Sequence, residues 1–318
     1  MGENPSVAMD NGKVRQQTFC TFPDFCLMAT TLPADVQHLT EDTSVALASQ
    51  IQFADISTNL TESPIATSYM CAGTGKPILL IHGFDSSIFE FRRLVPQLSA
   101  NAQVWVMDLL GFGFTDRTTD APITPIAIQQ HIYSFWQQQI GQPMILAGAS
   151  MGGAAAIDFT LNFPEAVEKL VLLDSAGFAA GPAMGKFMVP PLDSWATTFL
   201  RNPGVRRRIS QQAYYDRTFV TPDAELCAAL HLQMPNWKEA LIAFTKSGGY
   251  NFLTNYIQKI EPPTLIVWGK QDKILGTKDA QRFQQTIPNN KLVWIDDCGH
   301  VPHLEKPRNT AQAIVSFV

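Results

Sequence analysis

Six runs of four consecutive apolar residues recur along this chain: Ile78–Ile81, Val104–Met107, Met144–Ala147, Leu170–Leu173, Leu265–Trp268 and Leu292–Ile295. A run without polar alternation suits a strand buried on both faces, and helix-length segments separate most of these runs. That alternation specifies an α/β fold with a mainly parallel sheet covered by helices on both sides, in which reactive groups collect at the carboxyl ends of the strands. Two more strands, Ser49–Ser57 and Ile65–Ala72, are expected ahead of the first run.

One spacing breaks the rhythm. Between Leu173 and Leu265 there is far more chain than one crossover helix requires. The pattern there turns helical: Thr221 precedes Pro222 as a cap, Asn236 precedes Trp237, Ala240, Leu241 and Phe244 at helical spacing, and Ser247-Gly248-Gly249 ends the segment. We expect a helical cap over residues 177–261, laid on the carboxyl edge of a core made of residues 45–176 and 262–318. Residues 1–44 show no sustained period and are expected as an N-terminal arm.

Composition closes off several classes. With 46% hydrophobic and 16% charged residues, the chain is too apolar to stay disordered. A net charge of −5 lacks the basic excess that a phosphate backbone demands, so nucleic acid is excluded as a partner. The five cysteines, Cys20, Cys26, Cys71, Cys227 and Cys298, form no C-x-x-C pair, which suggests neither a disulfide framework nor a zinc site. No apolar stretch reaches the ~20 residues of a membrane span, and the N-terminus lacks the apolar core of a secretory signal. The expected location is the cell interior.

Gly148-Ala149-Ser150-Met151-Gly152 follows the run Met144–Ala147 and leads into Ala154-Ala155-Ala156-Ile157. This is the nucleophile-elbow pattern in its strand-to-helix setting, where small residues two positions either side of the serine let strand and helix approach. A serine hydroxyl needs a base to take its proton, and a carboxylate to hold that base in one tautomer. His300 lies just beyond the last run and Asp272 just beyond the one before it, giving the order Ser150, Asp272, His300. Asp174, also at a strand end, is the rival acid, and His303 the lesser rival for the base. The tetrahedral intermediate of acyl transfer carries a negative oxygen, which the backbone N–H groups of Phe84 and Met151 would meet. His82 is expected to be structural.

The chain resembles the serine branch of the α/β-hydrolase superfamily through His82-Gly83, Asp108-Leu109-Leu110-Gly111-Phe112-Gly113, the elbow at Ser150, Asp272 and Gly299-His300, in that order. The resemblance implies an α/β-hydrolase fold with an eight-stranded type of sheet, no metal and no cofactor. A serine at the elbow disfavours the alkyl-ester chemistry of the branch that carries an aspartate there. The stretches His82–Ser87 (HGFDSS) and Ser247–Asn251 (SGGYN) are similar to hydrolases of plant plastids and cyanobacteria, a neighbourhood that includes enzymes removing phytol from chlorophyll. It implies a plastid or cyanobacterial interior as an alternative to the cytoplasm.

The expected activity is hydrolysis of a carboxylic ester of a hydrophobic small molecule, a long-chain or phytyl ester among the candidates. Phe187, Met188, Trp195, Phe199, Trp237 and Phe244 offer the apolar surface for such a chain, or else form the cap's own core. Arg206-Arg207-Arg208 is a solvated helix face, or else meets an anionic membrane surface or a substrate carboxylate. Carbon–carbon bond hydrolysis, a haloperoxidase-like activity and a non-catalytic small-molecule receptor would use the same scaffold.

Overall fold

Each of the six apolar runs forms a strand in a computed structural model of the protein, which describes residues 31–117, 120–178 and 192–318. The strands are β1 (Gln52–Ile56), β2 (Ile65–Ala72), β3 (Pro77–Ile81), β4 (Gln103–Met107), β5 (Met144–Ala149), β6 (Val167–Leu173), β7 (Thr264–Gly269) and β8 (Asn290–Ile295). They make one sheet of eight in the order β1-β2-β4-β3-β5-β6-β7-β8. β2 runs antiparallel to β1 and β4, while the neighbours from β4 through β8 pair in parallel.

The central strands show why the sequence runs were unbroken. Leu79 and Ile81 feed the apolar cluster on one face of the sheet, and Ile78 and Leu80 feed the cluster on the other. Each such side chain contributes roughly 1.5–3 kcal/mol by leaving water. The edge strand β1 is only part-buried, as one face of an edge must be. Its ordered span is shorter than the expected Ser49–Ser57.

Between β6 and β7 the described chain is helical, with helices Leu192–Arg201, Pro203–Ala213, Pro222–Ala229 and Trp237–Lys246. Thr221 Oγ1 accepts the Ala224 N–H at 3.1 Å and so caps the third of these. Asn236 stands in the left-handed region at φ 56° and spends its amide on the Arg117 carbonyl at 3.1 Å. Gly248 and Gly249, both at positive φ, carry the chain away from the fourth helix.

The boundary expected at residue 44 falls inside a helix, Asp42–Ala48. Its start is gripped by Asp223, which accepts from the Glu41 N–H at 2.9 Å and the Ser44 hydroxyl at 2.6 Å. Glu41 also takes a two-pronged contact from Arg93, at 2.6 and 2.7 Å. These links are polar and local, so hydrophobic periodicity could not reveal them.

Candidate active site

Ser150 leaves β5 at φ 52°, a left-handed conformation that a non-glycine residue adopts only under constraint. A Cβ on Gly148 would overlap the Gly152 carbonyl, and one on Gly152 would overlap the carbonyls of Ile81 and His82. The spacing of small residues is therefore the steric condition for the turn, and it presents the Ser150 hydroxyl at the head of the helix Met151–Asn162.

His300 Nε2 stands 3.0 Å from Ser150 Oγ, and His300 Nδ1 stands 2.9 Å from Asp272 Oδ2. The other oxygen of Asp272 accepts the N–H groups of Ile274 and Leu275 at 2.7 and 3.1 Å, which fixes the carboxylate plane. The His300 backbone N–H donates to the Ala213 carbonyl at 2.7 Å, so the helical segment helps place the imidazole loop. A proton can pass from Ser150 Oγ to Nε2 while Asp272 faces the positive charge that forms on the ring.

Of the two candidate acids, Asp272 is the one whose oxygen meets the imidazole. Asp174 lies beside it, fully buried, and accepts the Gly269 N–H at 3.0 Å. Burial, followed by the charge of Asp272, pushes the Asp174 carboxyl well above the usual carboxylate range. Burial and the neighbouring Asp272 charge both favour the neutral form of Asp174. The donor atoms of Asp174, Asp272 and His300 lie within 4.8 Å of one another, close enough for one metal ion. Their hydrogen bonds to Gly269, Ile274, Leu275 and Ser150 already commit them to a protein network.

The rival histidines are engaged elsewhere. His303 is buried with Nε2 3.1 Å from Glu90 Oε1. Burial raises the Glu90 carboxyl, but the hydrogen bond and charge of His303 outweigh it and bring it to about 2. His82 is fully buried, its Nδ1 2.8 Å from the Gly83 carbonyl and its Nε2 accepting the Leu109 N–H at 3.2 Å. With both nitrogens committed, His82 shapes the loop after β3.

That loop lies against the serine. A Cβ on Gly83 would sit 3.3 Å from Ser150 Cβ. Among the described residues, neither the Phe84 nor the Met151 N–H has a hydrogen-bond partner. Met151 opens a helix, whose N-terminus favours an anion. The Phe84 ring packs against Phe112 and Phe244, each at 6.1 Å between centroids.

A cavity of about 310 Å³ opens on Ser150 and His300, with Phe84, Phe89, Leu200, Ile209, Ile274 and Leu304 among its apolar walls. The expected chain-binding residues are placed otherwise. Trp195 and Phe199 project into solvent, 67% and 63% exposed. Trp237 and Phe244 are buried in the apolar cluster that the helical segment shares with the core. Phe187 and Met188 lie outside the described residues. The sequence supplied the right kind of residue but not the phase of each helix, and it is Leu200 and the part-exposed Ile209 that line the cavity.

Two polar residues that sequence reasoning passed over, Asp85 and Glu305, and one that it placed on a helix face, Arg206, belong to the surroundings of the site. Arg206, expected on a solvated face with its neighbours, turns inward onto Asp85 at 2.7 Å. Glu305, buried beyond His300, accepts the N–H groups of Gly299, Tyr215 and Asp216 at 2.7, 3.1 and 2.6 Å. The one signal in the sequence was an acidic residue placed in an otherwise apolar or loop setting beside a motif.

A sheet of this topology, with a strained serine after β5, a carboxylate after β7 and an imidazole after β8, defines a class. A family model described as alpha/beta hydrolase fold matches residues 76–307, and the chain belongs to that family. The Arabidopsis thaliana alpha/beta hydrolase domain-containing protein VTE7 is 31% identical over 305 residues, which cover 93% of this chain and 90% of that protein. Lipase 3 of Moraxella sp. (strain TA144) is 28% identical over 254 residues, covering 77% of this chain and 78% of the lipase. Among solved structures, a serine hydrolase involved in carbazole degradation, the CarC enzyme, superposes with a TM-score of 0.69 at 26% identity, over 84% of this chain and 98% of that one.

Proposed function

We propose that this protein is a cofactor-free serine hydrolase that cleaves a carboxylic ester of a hydrophobic substrate. The observation that carries the reading is the continuous chain Asp272, His300, Ser150, with contacts of 2.9 and 3.0 Å, beside two backbone N–H groups without a partner among the described residues. His300 Nε2 takes the Ser150 proton as Oγ attacks the ester carbon, and the carbonyl oxygen becomes an oxyanion facing the N–H groups of Phe84 and Met151. Collapse breaks the bond to the alkoxy oxygen, which leaves as the alcohol with the proton from His300. Water then loses a proton to His300, adds to the acyl-enzyme, and releases the acid and free Ser150. Asp272 holds the ring tautomer and balances the imidazolium charge throughout.

The apolar walls beside Ser150 favour a long hydrocarbon chain on one side of the ester, each buried CH₂ contributing ~0.8 kcal/mol. The likeness to a lipase points the same way, and HGFDSS and SGGYN narrow the candidates to a phytyl ester such as chlorophyll. We divide the chain into a core of residues 45–176 and 262–318, a cap of 177–261 and an arm of 1–44 whose end is joined to the core by the helix Asp42–Ala48. Trp195 and Phe199, exposed on one helix, support peripheral contact between the cap and a lipid surface. The described residues contain no helix long and apolar enough to cross a membrane.

The test is phytol release from chlorophyll a by the purified chain, beside a short p-nitrophenyl ester and a Ser150→Ala control. Release by the wild type alone supports the phytyl reading. Cleavage of the short ester only keeps the serine mechanism and moves the substrate to smaller esters. No cleavage of either by the wild type would sink the proposal.

A further inference from the structure

The residue after Phe84, like the serine, has a positive φ. Asp85 has φ 49°, a conformation that an L residue holds only when its surroundings enforce it. Its side chain, 9% exposed, receives three donors: His231 Nε2 at 3.1 Å and Trp237 Nε1 at 2.8 Å on Oδ1, and Arg206 Nη1 at 2.7 Å on Oδ2. Arg206 Nη2 also reaches the Asp85 carbonyl at 3.4 Å and the Ala228 carbonyl at 2.7 Å.

Every one of those side chains comes from the helical segment between β6 and β7. Arg206 lies on Pro203–Ala213, His231 on the 3-10 turn Leu230–Gln233, and Trp237 opens Trp237–Lys246. Asp85 belongs to the loop that follows β3. One core carboxylate is thus the meeting point of three separate elements laid over it. Burial pushes the Asp85 carboxyl up, but His231 and Arg206 more than offset this and hold it at about 2, so it is a charged acceptor near neutrality.

The upstream side of the same loop is held differently. The Gly83 N–H donates to Glu90 Oε2 at 2.8 Å, and Glu90 belongs to the core. Phe84 therefore hangs between a residue fixed by the core and one fixed by the helical segment. We propose that Asp85 is a positioning residue that makes the Phe84 N–H a competent oxyanion donor only while the helical segment is seated. The proposal rests on the serine-hydrolase reading above. It makes the segment part of the machinery that completes the site, so that a displaced cap disarms hydrolysis as well as opening the cavity.

The experiment uses the full chain and p-nitrophenyl butyrate, with melting curves for every variant. Asp85→Asn keeps the shape of the side chain but removes its charge. Its kcat should fall about 10–100-fold with KM within about 3-fold, since both acylation and deacylation need the oxyanion donor; loss of one such donor costs about 10²–10³. Arg206→Gln should lower kcat in the same direction, and the double variant should lose no more than Asp85→Asn alone, because the two act as one unit. A folded Asp85→Asn enzyme with kcat within 2-fold of wild type overturns the proposal, as does full multiplicative loss in the double variant. Should Asp85→Asn not fold, Arg206→Gln and Trp237→Phe carry the test, and unchanged kcat in both overturns it. A wild type that is inert and indistinguishable from Ser150→Ala rejects the hydrolase reading itself, and this proposal with it.

Discussion

Strand β5 and the helix Pro203–Ala213 both border the site, and they are held in opposite ways. All residues of β5 are buried, and its neighbours grip it through apolar contact on both faces of the sheet. The helix has no buried residue. It is tied down by the Arg206 guanidinium on Asp85 and by the Ala213 carbonyl under the His300 N–H. Glu305 adds a third tie just past its end, through Tyr215 and Asp216. Burial in the core is spread over dozens of side chains and tolerates local change, whereas a few polar ties concentrate their effect in single residues. The same ties run directly to the two loops that flank Ser150, so the weaker-held region is coupled to the chemistry.

The largest effect is expected where the core presents the proposed nucleophile. Ser150→Ala should lower ester hydrolysis by at least about 10³-fold while leaving the melting temperature near that of the wild type, since the residue bears no packing load. Residual turnover within 10-fold of wild type would show that the strand-end serine is not the attacking group.

Next come the two buried carboxyls. Asp272→Asn offers His300 Nδ1 a wrong partner and should cost about 10²–10⁴ in kcat. Asp174→Asn replaces a carboxyl whose neutral form burial favours by a neutral amide of the same shape, and should stay within about 10-fold of wild type. Steady-state kinetics of both variants settle the assignment. If Asp174→Asn is the more damaging, Asp174 and not Asp272 is the acid that orients His300.

These residues were legible in the sequence for a physical reason. A strand buried on both faces writes an unbroken apolar run, and a turn with φ near 50° and no room for a Cβ writes small residues around Ser150. Asp272 and His300 were found because they follow such runs. The helical segment gave no comparable signal. Its amphipathic spacing announced helices, but the direction each face takes depends on ties such as Arg206 to Asp85, which join positions far apart in the chain. Trp195 and Phe199 were for that reason expected beside the substrate and stand in solvent, while Leu200 lines the cavity. Residues 42–48 were missed in the same way, since Asp223 fixes them from the far side of the sequence.

The core also carries a carboxyl with no charged partner among the described residues, only the Asn162 amide donating at 3.4 Å, which sharpens the contrast with the paired carboxylate at Asp85. Burial lifts Asp158, on the helix after Ser150, to about 7. A folded-state value above the ordinary ~3.9 means the folded chain keeps a proton that the unfolded chain loses. The stability this provides is whole below about pH 4 and is lost as pH rises through 7. Asp158→Asn should therefore raise the melting temperature by about 2–6 °C at pH 8, with little change at pH 4.5. A shift of equal size at both pH values would assign the effect to packing and not to the charge.

The smallest effect on stability is expected at the exposed end of the helical segment. Trp195 and Phe199 lie four residues apart on Leu192–Arg201 and face solvent together, so truncating both removes little packing. The double variant Trp195→Ala, Phe199→Ala should melt within about 2 °C of wild type, in keeping with the ±0.5 kcal/mol usual for surface changes. It should also cleave a soluble p-nitrophenyl ester at the wild-type rate, because neither ring borders the described cavity. Co-sedimentation with anionic vesicles at low salt should fall several-fold, since two aromatic rings would no longer enter the interface. Unchanged vesicle binding refutes the peripheral contact, and a drop in melting temperature beyond about 5 °C places the rings in the cap's own packing. Either result moves the comparison, because it would show that this face of the segment is held by apolar contact as the core is.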